Sequence, residues 1–579
     1  MISLARLVGI VVCPAISQAE PLPAGGADLI DPNGKVTAWS GKTGLAEAVD
    51  TSVGKATRIT VTQPDPDRPW TAQLRAPTTI GAVKTGDKLL VSYSARCIAG
   101  GSGQAIAKLQ QSDSSNTVIG VTESSKFGAE WETVYQPFSA KRDAPAGSAE
   151  FVMFFGEKSQ TVEIANIRVL NYGPAIDLSQ LPRQRQSYPG REPDAPWRTA
   201  ALARIAKLRQ ADLACQLTGA DGKPLANTTV TLELARHEFG FGSCVSRSML
   251  TKKGPDGERY RDIARRTFSC AVFENDLKPD AFPHDTQGRA KLDESFAWLK
   301  AQGISIRGHY LMQEVVDGWS RKRLGDPGKL KADLLASVRE RIAFAGDRVT
   351  EWDVINHPVA WQGAELYGKK GPPLATLGME VFREARALTK LPMVINEDQL
   401  FRPGPQQDQT FELLEKLKRD GVRVDGLGNQ AHFHSSFLPS PEDLLRVTDR
   451  FAAVVPKQVI TEYDIVTNGD DALAADYLRD SLIACFSHPA YDGFLLWGYW
   501  EGAHWLPEAA LWRKDWSIRP IGTVWEEWVG KTWHTRVELK SDATGMVKWR
   551  GFKGTYRLKL DGKETLPFKP GRKVVVRAP

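Results

Sequence analysis

Short runs of alternating or β-rich residues fill the chain from about residue 20 to residue 175. Leu89–Ala95 and Phe151–Phe155 are two such runs, and clusters of Gly, Asp, Pro and Ser separate them. Apolar residues at every second position indicate strands with one buried face, and frequent turn residues favour antiparallel neighbours. The pattern therefore predicts a β-sandwich of the jelly-roll type over residues 20–175.

Composition changes after this region. Four prolines stand among Arg, Gln and Ser in residues 176–198, which predicts a linker. Residues 199–236 have the pattern of a helix followed by two strands around the turn signal Ala220-Asp-Gly222, a hairpin, and residues 531–579 have a similar hairpin character. Because an isolated hairpin is marginally stable in water, we predict that these two segments pack together as a small β module.

Eight short apolar strands recur between residues 237 and 530, and segments of helical period separate them. The strands begin near His237, Thr267, Ser305, Glu351, Met393, Val424, Gln458 and Gly493. Regular alternation of strands and helices predicts a parallel sheet, and eight such units predict an α/β fold, the (β/α)8 TIM barrel. In that fold the C-terminal ends of the strands carry the chemistry.

The composition fits a multidomain globular protein. The chain has 579 residues, of which 42% are hydrophobic and 25% are charged, and its net charge is +6. Residues 531–579 are the most basic part, with 13 Lys and Arg against 4 Asp and Glu. Because these charges alternate with apolar residues, they indicate a solvated strand face, and nucleic-acid binding is not expected.

The first 19 residues are typical of a cleavable secretory signal. Arg6 precedes an apolar run that continues to Val12, and small residues close the segment at Ala19. No other stretch is long and apolar enough to span a membrane. We therefore expect an exported protein, secreted or periplasmic. The remaining cysteines have no close paired spacing, so we expect no metal site, and no cofactor motif is present.

Candidate chemistry lies on the predicted fourth and seventh barrel strands. Val459–Ile465 is a buried strand that carries Glu462 near its C-terminal end, and Glu351–His357 is a similar strand that ends in Asn-His. The two resemble the catalytic strands of glycoside hydrolase family 10, the endo-xylanases, in which one strand carries a nucleophilic Glu and the other ends in Asn-Glu. The resemblance implies that Glu462 is the nucleophile with Asp464 as its supporting partner, and it places His357 at the proton-donor position.

Further fragments follow the order of that family. They are Phe273-Glu-Asn-Asp-Leu-Lys278, Arg307-Gly-His309, Gly428-Asn-Gln-Ala-His432, Leu496-Trp-Gly498 and His504-Trp505. The resemblance implies sugar-binding roles for Glu274, Asn275, Lys278, His309, Asn356, Gln430, His432, Trp497 and Trp505. It also implies a retaining mechanism on a β-linked polysaccharide or oligosaccharide, most simply xylan. The N-terminal sandwich resembles the carbohydrate-binding modules that often precede xylanases.

His357 allows three interpretations. As an imidazolium it could protonate a leaving group and, once neutral, activate water, because histidine titrates near neutral pH. Alternatively, the chain is a catalytically impaired carbohydrate-binding protein on a xylanase scaffold. In the third interpretation another carboxylate, Glu314 or Glu397, replaces the acid.

Glu314 is a catalytic candidate because two residue types are apparently exchanged between the third and fourth strands. Where the resembled family has His on the third strand and Glu on the fourth, this chain has Glu314 and His357. Because neighbouring strands bring such ends close together, we hypothesise that Glu314 accepts a hydrogen bond from His357 and fixes its tautomer. The predicted catalytic set is therefore Glu462, His357 and Glu314.

Overall fold

The computed structural model of the chain describes residues 22–31, 34–39, 43–66, 68–113, 115–183, 187–313, 322, 326–359, 377–560 and 563–575. The chain divides into two compact units, residues 1–186 and 187–579. Each unit has a hydrophobic core of its own. The expected signal segment and Glu314 lie outside the described residues.

The first unit is a β-sandwich. Its strands are β1 (Ala27–Asp28), β2 (Thr37–Trp39), β3 (Gly44–Thr51), β4 (Gly54–Val61), β5 (Gln73–Thr78), β6 (Lys88–Ala99), β7 (Gly103–Gln111), β8 (Val118–Phe127), β9 (Glu132–Ser139), β10 (Ala149–Phe154) and β11 (Gln160–Asn171). One sheet has the order β3-β4-β11-β6-β9, with β1 beside β11, and the other has the order β2-β5-β10-β7-β8. Leu74 and Phe151 of one sheet share a core with Val91 and Ile164 of the other. The predicted β-sandwich is confirmed.

The second unit begins with helix α1 (Pro196–Leu208) and strands β12 (Gln210–Thr218) and β13 (Thr229–His237). The strands that follow are β14 (Gly240–Val245), β15 (Cys270–Phe273), β16 (Ser305–Gln313), β17 (Glu351–Asn356), β18 (Met393–Glu397), β19 (Gly426–Asn429), β20 (His432–His434), β21 (Gln458–Val466) and β22 (Tyr491–Leu496). They pair in parallel, and β22 pairs with β14, so the sheet closes on itself. This closed sheet confirms the predicted TIM barrel.

Helices follow the barrel strands. They are α2 (Arg247–Leu250), α3 (Pro255–Thr267), α4 (Thr286–Ala301), α5 (Pro327–Ala345), α6 (Leu377–Leu388), α7 (Pro405–Arg419), α8 (Pro441–Ala452), α9 (Asp471–Phe486) and α10 (Pro520–Glu527). Asp285, Asp326, Ser440 and Asp470 begin four of them, because each side chain accepts a hydrogen bond from a backbone N–H of the first turn. Among the residues that the structure describes, no helix has the length and apolar character needed to cross a membrane.

The C-terminal strands form two small sheets with β12 and β13. They are β23 (Arg536–Lys540), β24 (Met546–Phe552), β25 (Gly554–Leu560), β26 (Lys563–Glu564) and β27 (Lys573–Val575). Instead of forming the expected hairpin with each other, β12 pairs with β24 and β27, and β13 pairs with β23 and β25. Leu217 of β12 and Leu232 of β13 are buried in the same hydrophobic core, although their strands belong to different sheets.

Part of the segment expected to be a linker is packed into the second unit. Tyr188 is 2% exposed and Trp197 is 6% exposed. The Tyr188 hydroxyl donates to Asp480 of α9 at 2.9 Å, and the Arg198 guanidinium donates to the same carboxylate at 2.8 Å. Proline-rich composition predicted a linker, but Tyr188 and Arg198 both bind Asp480, almost 300 residues further along the chain. Local composition cannot show such a partner.

Replacing Asp480 by Ala is expected to destabilise the second unit. The Asp480 carboxylate is fully buried, and its removal leaves Arg198 buried without its anionic partner. Breaking such a buried pair costs about 3–5 kcal/mol. Urea unfolding followed by tryptophan fluorescence measures the change. The control is Asp262→Ala, which removes a partly exposed pair with Arg265 and should cost less than about 1 kcal/mol. Equally small losses of unfolding free energy in the two variants would contradict the expectation.

Candidate active site

The residues expected to carry the chemistry meet at the C-terminal end of the barrel. Glu462 and Asp464 lie on β21, Asn356 ends β17, His432 begins β20, and Trp497 directly follows β22. Because parallel strands of a closed barrel all end at one rim, side chains far apart in the sequence converge there. The site is therefore built by the strand ends.

Glu462 is the central carboxylate. It is 4% exposed, and Asn396 donates through Nδ2 to its Oε1 at 2.7 Å. Nε2 of His432 lies 3.3 Å from its Oε2, and Nε2 of His309 lies 3.9 Å from its Oε1. Burial raises the pKa of Glu462, but the hydrogen bond from His432 and the charges of His309, His432 and Lys278 outweigh burial and lower it to about 2. Glu462 is thus ionised at neutral pH.

His432 lies between two carboxylates. Its Nδ1 is 2.8 Å from Oδ1 of Asp464, and Trp505 donates through Nε1 to the other Asp464 oxygen at 2.8 Å. Burial lowers the pKa of His432, but Asp464 and Glu462 outweigh it and hold this pKa well above its ordinary value. An imidazolium held in this way stabilises the charge of Glu462.

A second buried histidine has its own support. Nδ1 of His309 lies 2.9 Å from Oδ2 of Asp353, and Arg307 donates to Oδ1 of Asp353 at 2.7 Å and also to Glu351. Burial lowers the pKa of Arg307, but these two carboxylates raise it above its ordinary value. The rings of His309 and Trp497 pack edge to face, with 5.2 Å between their centroids. This arrangement fixes the ring of His309 with Nε2 toward Glu462.

Lys278 joins the remaining predicted sugar contacts. Its ammonium donates to Oδ1 of Asn275 at 3.1 Å and lies 5.7 Å from the ring of Trp497. Burial raises the pKa of Glu274, and the charge of Lys278 opposes that rise. Trp505 is 54% exposed, so about half of its surface is open to a ligand. The structure therefore brings the predicted binding residues from β15, β20 and β22 to one rim.

His357 follows β17 with a φ of 54°, in the left-handed region that side-chain-bearing residues rarely adopt. Its backbone N–H donates to the carbonyl of Asn396 at 2.9 Å. Its Nε2 lies 3.3 Å from Nε2 of Gln430, and its Nδ1 lies 3.7 Å from Oε1 of Glu397. A strained residue persists where its surroundings fix it, and such residues cluster at functional sites.

Glu397 is fully buried beside His357. Its Oε2 accepts a hydrogen bond from the Val359 N–H at 2.7 Å, and its Oε1 accepts from the Asp398 N–H at 2.8 Å and from Gln406 at 3.2 Å. Glu397 thus faces Nδ1 of His357 and holds the chain that follows β17. Of the two carboxylates considered as replacement acids, Glu397 lies 3.7 Å from Nδ1 of His357, and Glu314 lies outside the described residues.

The sequence interpretation missed Asn396 and Asp353. Asn396 contacts both Glu462 and Asn356, and Asp353 orients His309. Asn396 lies near the C-terminal end of a barrel strand, which is the signal that could have identified it. Asp353 lies in the middle of β17, where a polar residue would be expected to be structural.

A buried, ionised carboxylate at the C-terminal rim of a (β/α)8 barrel is a feature that barrel glycoside hydrolases share with other barrel enzymes. A sequence model of Glycosyl hydrolase family 10 matches residues 231–522, half of the chain. The chain therefore belongs to this family.

Several known proteins are similar to this chain. Anti-sigma-I factor RsgI6 of Acetivibrio thermocellus is 28% identical over 370 residues, which cover 62% of this chain and 46% of that protein. Endo-1,4-beta-xylanase 2 of Arabidopsis thaliana is 25% identical over 368 residues, which cover 62% of this chain and 33% of that protein. The chain spans less than half the length of either relative. Among solved structures, xylanase 10B from Thermotoga petrophila in complex with xylobiose is 21% identical with a TM-score of 0.45, over 51% of this chain and 95% of that one.

Proposed function

We propose that the chain is a retaining glycoside hydrolase that cleaves a β-linked polysaccharide, with xylan as the first candidate. The observation that carries the proposal is the state of Glu462, a buried carboxylate that Asn396 and His432 keep ionised at the barrel rim. A retaining mechanism needs such a group to attack the anomeric carbon. Family membership and the xylanases among the relatives support the substrate class.

The proposal assigns roles to the predicted residues that the structure describes. Glu462 forms the covalent glycosyl-enzyme, and His357 occupies the acid/base position. Asp464 holds His432, which in turn keeps Glu462 charged. The sugar contacts are Glu274, Asn275, Lys278, His309, Asn356, Gln430, His432, Trp497 and Trp505.

The direct test is release of reducing ends from a panel of xylans and other β-glucans, β-mannans and β-galactans. The proposal expects turnover on at least one of them, and Glu462→Ala is the matched inactive control. Affinity electrophoresis in gels that contain the same polysaccharides measures binding and so distinguishes a hydrolase from the alternative, a binding protein. Binding without any release would support a catalytically impaired carbohydrate-binding protein on a xylanase scaffold.

Replacing His432 by Phe is expected to move the acid limb of the pH–rate profile upward. Without the imidazolium, burial dominates and raises the pKa of Glu462 from about 2, so the nucleophile is protonated and lost as pH falls from neutral. In the native chain Glu462 stays ionised over this range. The measurement is kcat/KM against pH with an aryl β-glycoside.

His434→Phe is the matched control for this prediction. His434 lies two residues further along the same strand, and its ring nitrogen is 2.9 Å from the Ser436 hydroxyl. It makes no described contact with Glu462, so its replacement should leave the acid limb in place. An unchanged acid limb in His432→Phe would contradict the assigned role of His432.

We also propose that the N-terminal sandwich binds carbohydrate through the outer face of its β2-β5-β10-β7-β8 sheet. Trp39 lies opposite Gln73, which lies opposite Phe154, so these three side chains share that face. Trp39 is 54% exposed, and an exposed indole is suited to stack on a sugar ring. Arg75, on the same face, supplies hydrogen-bond donors beside these rings. With residues 1–19 as an export signal, this module would bring the barrel to an extracellular polysaccharide.

Trp39→Ala is expected to weaken adsorption to insoluble polysaccharide and to lower turnover on it, because a bound module raises the local substrate concentration. Turnover of soluble oligosaccharides should be unchanged. Pull-down on insoluble xylan and parallel rate assays measure the two effects. Ile98→Ala removes an exposed apolar side chain from the other sheet and is the control. Equal adsorption of both variants and the native chain would count against this face as the binding surface.

A further inference from the structure

A chain of side-chain contacts connects Glu462 to His357. Asn396 Nδ2 lies 2.7 Å from Glu462 Oε1 and 2.9 Å from Asn356 Oδ1. Gln430 Nε2 lies 3.1 Å from the same Asn356 oxygen and 3.3 Å from His357 Nε2. Asn396, Asn356 and Gln430 are buried. Buried polar groups pair donors with acceptors, so the orientation of one group restricts the next.

The ionised carboxylate of Glu462 fixes the first orientation. A carboxylate only accepts hydrogen bonds, so the atom of Asn396 that faces it is the NH2 group. The Thr461 hydroxyl donates to Oδ1 of Asn396 at 2.8 Å, and this contact is consistent with the same orientation of the amide. Because the same NH2 group faces Asn356, the Asn356 atom there is the carbonyl oxygen. Gln430 must then present its own NH2 group to that oxygen.

The NH2 group of Gln430 has two hydrogens and two neighbours. One hydrogen is donated to Asn356, and the other points to Nε2 of His357. A ring nitrogen that faces a donor carries a lone pair, and a neutral imidazole has a single N–H. We propose that this network holds neutral His357 in the tautomer protonated at Nδ1, with Nε2 as a base. The Nδ1 proton then lies on the side of Glu397, whose Oε1 is 3.7 Å away.

The chemical consequence rests on the proposed function. In the second step of a retaining mechanism, a water oxygen attacks the anomeric carbon, the bond from that carbon to Glu462 breaks, and the water proton passes to His357 Nε2. Glu462 leaves as a carboxylate, and His357 becomes an imidazolium. The Nδ1-protonated tautomer has the lone pair on Nε2 that this step needs, and Nε2 exchanges its contact with the Gln430 NH2 group for the water proton.

The first step makes the opposite demand. Glu462 attacks the anomeric carbon and the glycosidic bond breaks, so an alkoxide leaving group needs a proton that His357 Nε2 does not carry in this tautomer. The phenolate of an aryl glycoside, in contrast, is stable enough to leave without a proton. We therefore infer that the site favours glycosides with acidic leaving groups over polysaccharide chains, by about 10²- to 10⁴-fold in the first step.

The tautomer can be tested in the resting protein without substrate. Long-range ¹H–¹⁵N spectra of the full chain labelled at histidine distinguish a protonated ring nitrogen from one that carries a lone pair. His357→Asn identifies the signals among the nine histidines. At a pH where His357 is neutral, we expect a protonated Nδ1 and an unprotonated Nε2. A protonated Nε2 would overturn the proposal.

A substitution at the Glu462 end of the network tests the network itself. An aspartate carries at most one proton, so Asn396→Asp cannot donate to both Glu462 and Asn356. Asn356 then keeps its 3.2 Å hydrogen bond to Gln313 but loses the donor that fixes its carbonyl oxygen, so Asn356 and Gln430 can turn together and His357 should shift toward the Nε2-protonated tautomer. Thr461→Val is the control, because Glu462 still orients Asn396 and the native tautomer should persist. An unchanged tautomer in Asn396→Asp would overturn the network.

Failure of this inference and failure of the proposed function are distinguishable. Turnover together with an Nε2-protonated His357 would overturn only the network. A chain with the Nδ1-protonated tautomer that hydrolyses neither xylan nor aryl glycosides would overturn the proposed function and leave the network intact. Comparable first-step rates on aryl xylosides and on xylan would overturn the inferred preference for acidic leaving groups.

Discussion

Glu462→Ala is expected to abolish hydrolysis of β-glycosides, with a loss of about 10⁴- to 10⁶-fold in kcat, as for removal of other covalent nucleophiles. Without this carboxylate no glycosyl-enzyme is expected to form, because the hydrogen bonds and ion pair to it that the structure describes come from an amide and from histidines. The measurement is kcat and kcat/KM on an aryl β-xyloside and on the best polysaccharide from the panel. The same variant should keep its polysaccharide affinity.

The site of covalent attachment gives a sharper test. A 2-fluoro aryl glycoside, which forms a slowly hydrolysed glycosyl-enzyme, should label Glu462 and no other residue in a peptide map. Glu274→Gln is the matched control because Glu274 lies at the same rim and has the assigned role of a sugar contact. That variant should lower turnover yet still be labelled. Labelling of Glu274 or Glu397 would overturn the assignment of the nucleophile.

The sequence predicted the barrel well because its strands are local features. Each strand is a short apolar run of nearly continuous burial, as in Gln458–Val466, and a parallel sheet covered on both faces requires such runs. Glu462, Asp464 and His432 could be placed in the same way. They lie on or beside these runs, and the barrel brings the strand ends together.

What the sequence could not show depends on partners that are distant along the chain. Asp353 lies in the middle of its strand and is indistinguishable from an ordinary strand residue until its contact with His309 is seen. The buried positions of Tyr188 and Arg198 depend on Asp480 of helix α9, far along the chain. Glu397 is another example, because only the fold puts it beside Nδ1 of His357.

Replacing His357 by Ala is expected to slow hydrolysis of the glycosyl-enzyme by about 10²- to 10⁴-fold, because the water loses its general base. With an aryl xyloside the first step should still occur, so the intermediate should accumulate and give a burst of phenol followed by a slow steady state. Added azide should restore the rate, since it attacks the intermediate without needing a base. Pre-steady-state absorbance measures both the burst and the rescue.

Glu314→Gln is the variant that completes this test. If Glu314 accepts a hydrogen bond from His357, its loss should slow xylan hydrolysis severely and affect the first step on aryl xylosides much less. Glu397→Gln tests the other carboxylate, which lies 3.7 Å from Nδ1 of His357. If His357→Ala produces neither a burst nor azide rescue while Glu314→Gln does, the acid/base role belongs to Glu314. His357 would then serve to hold Gln430 and the chain that follows β17 in place.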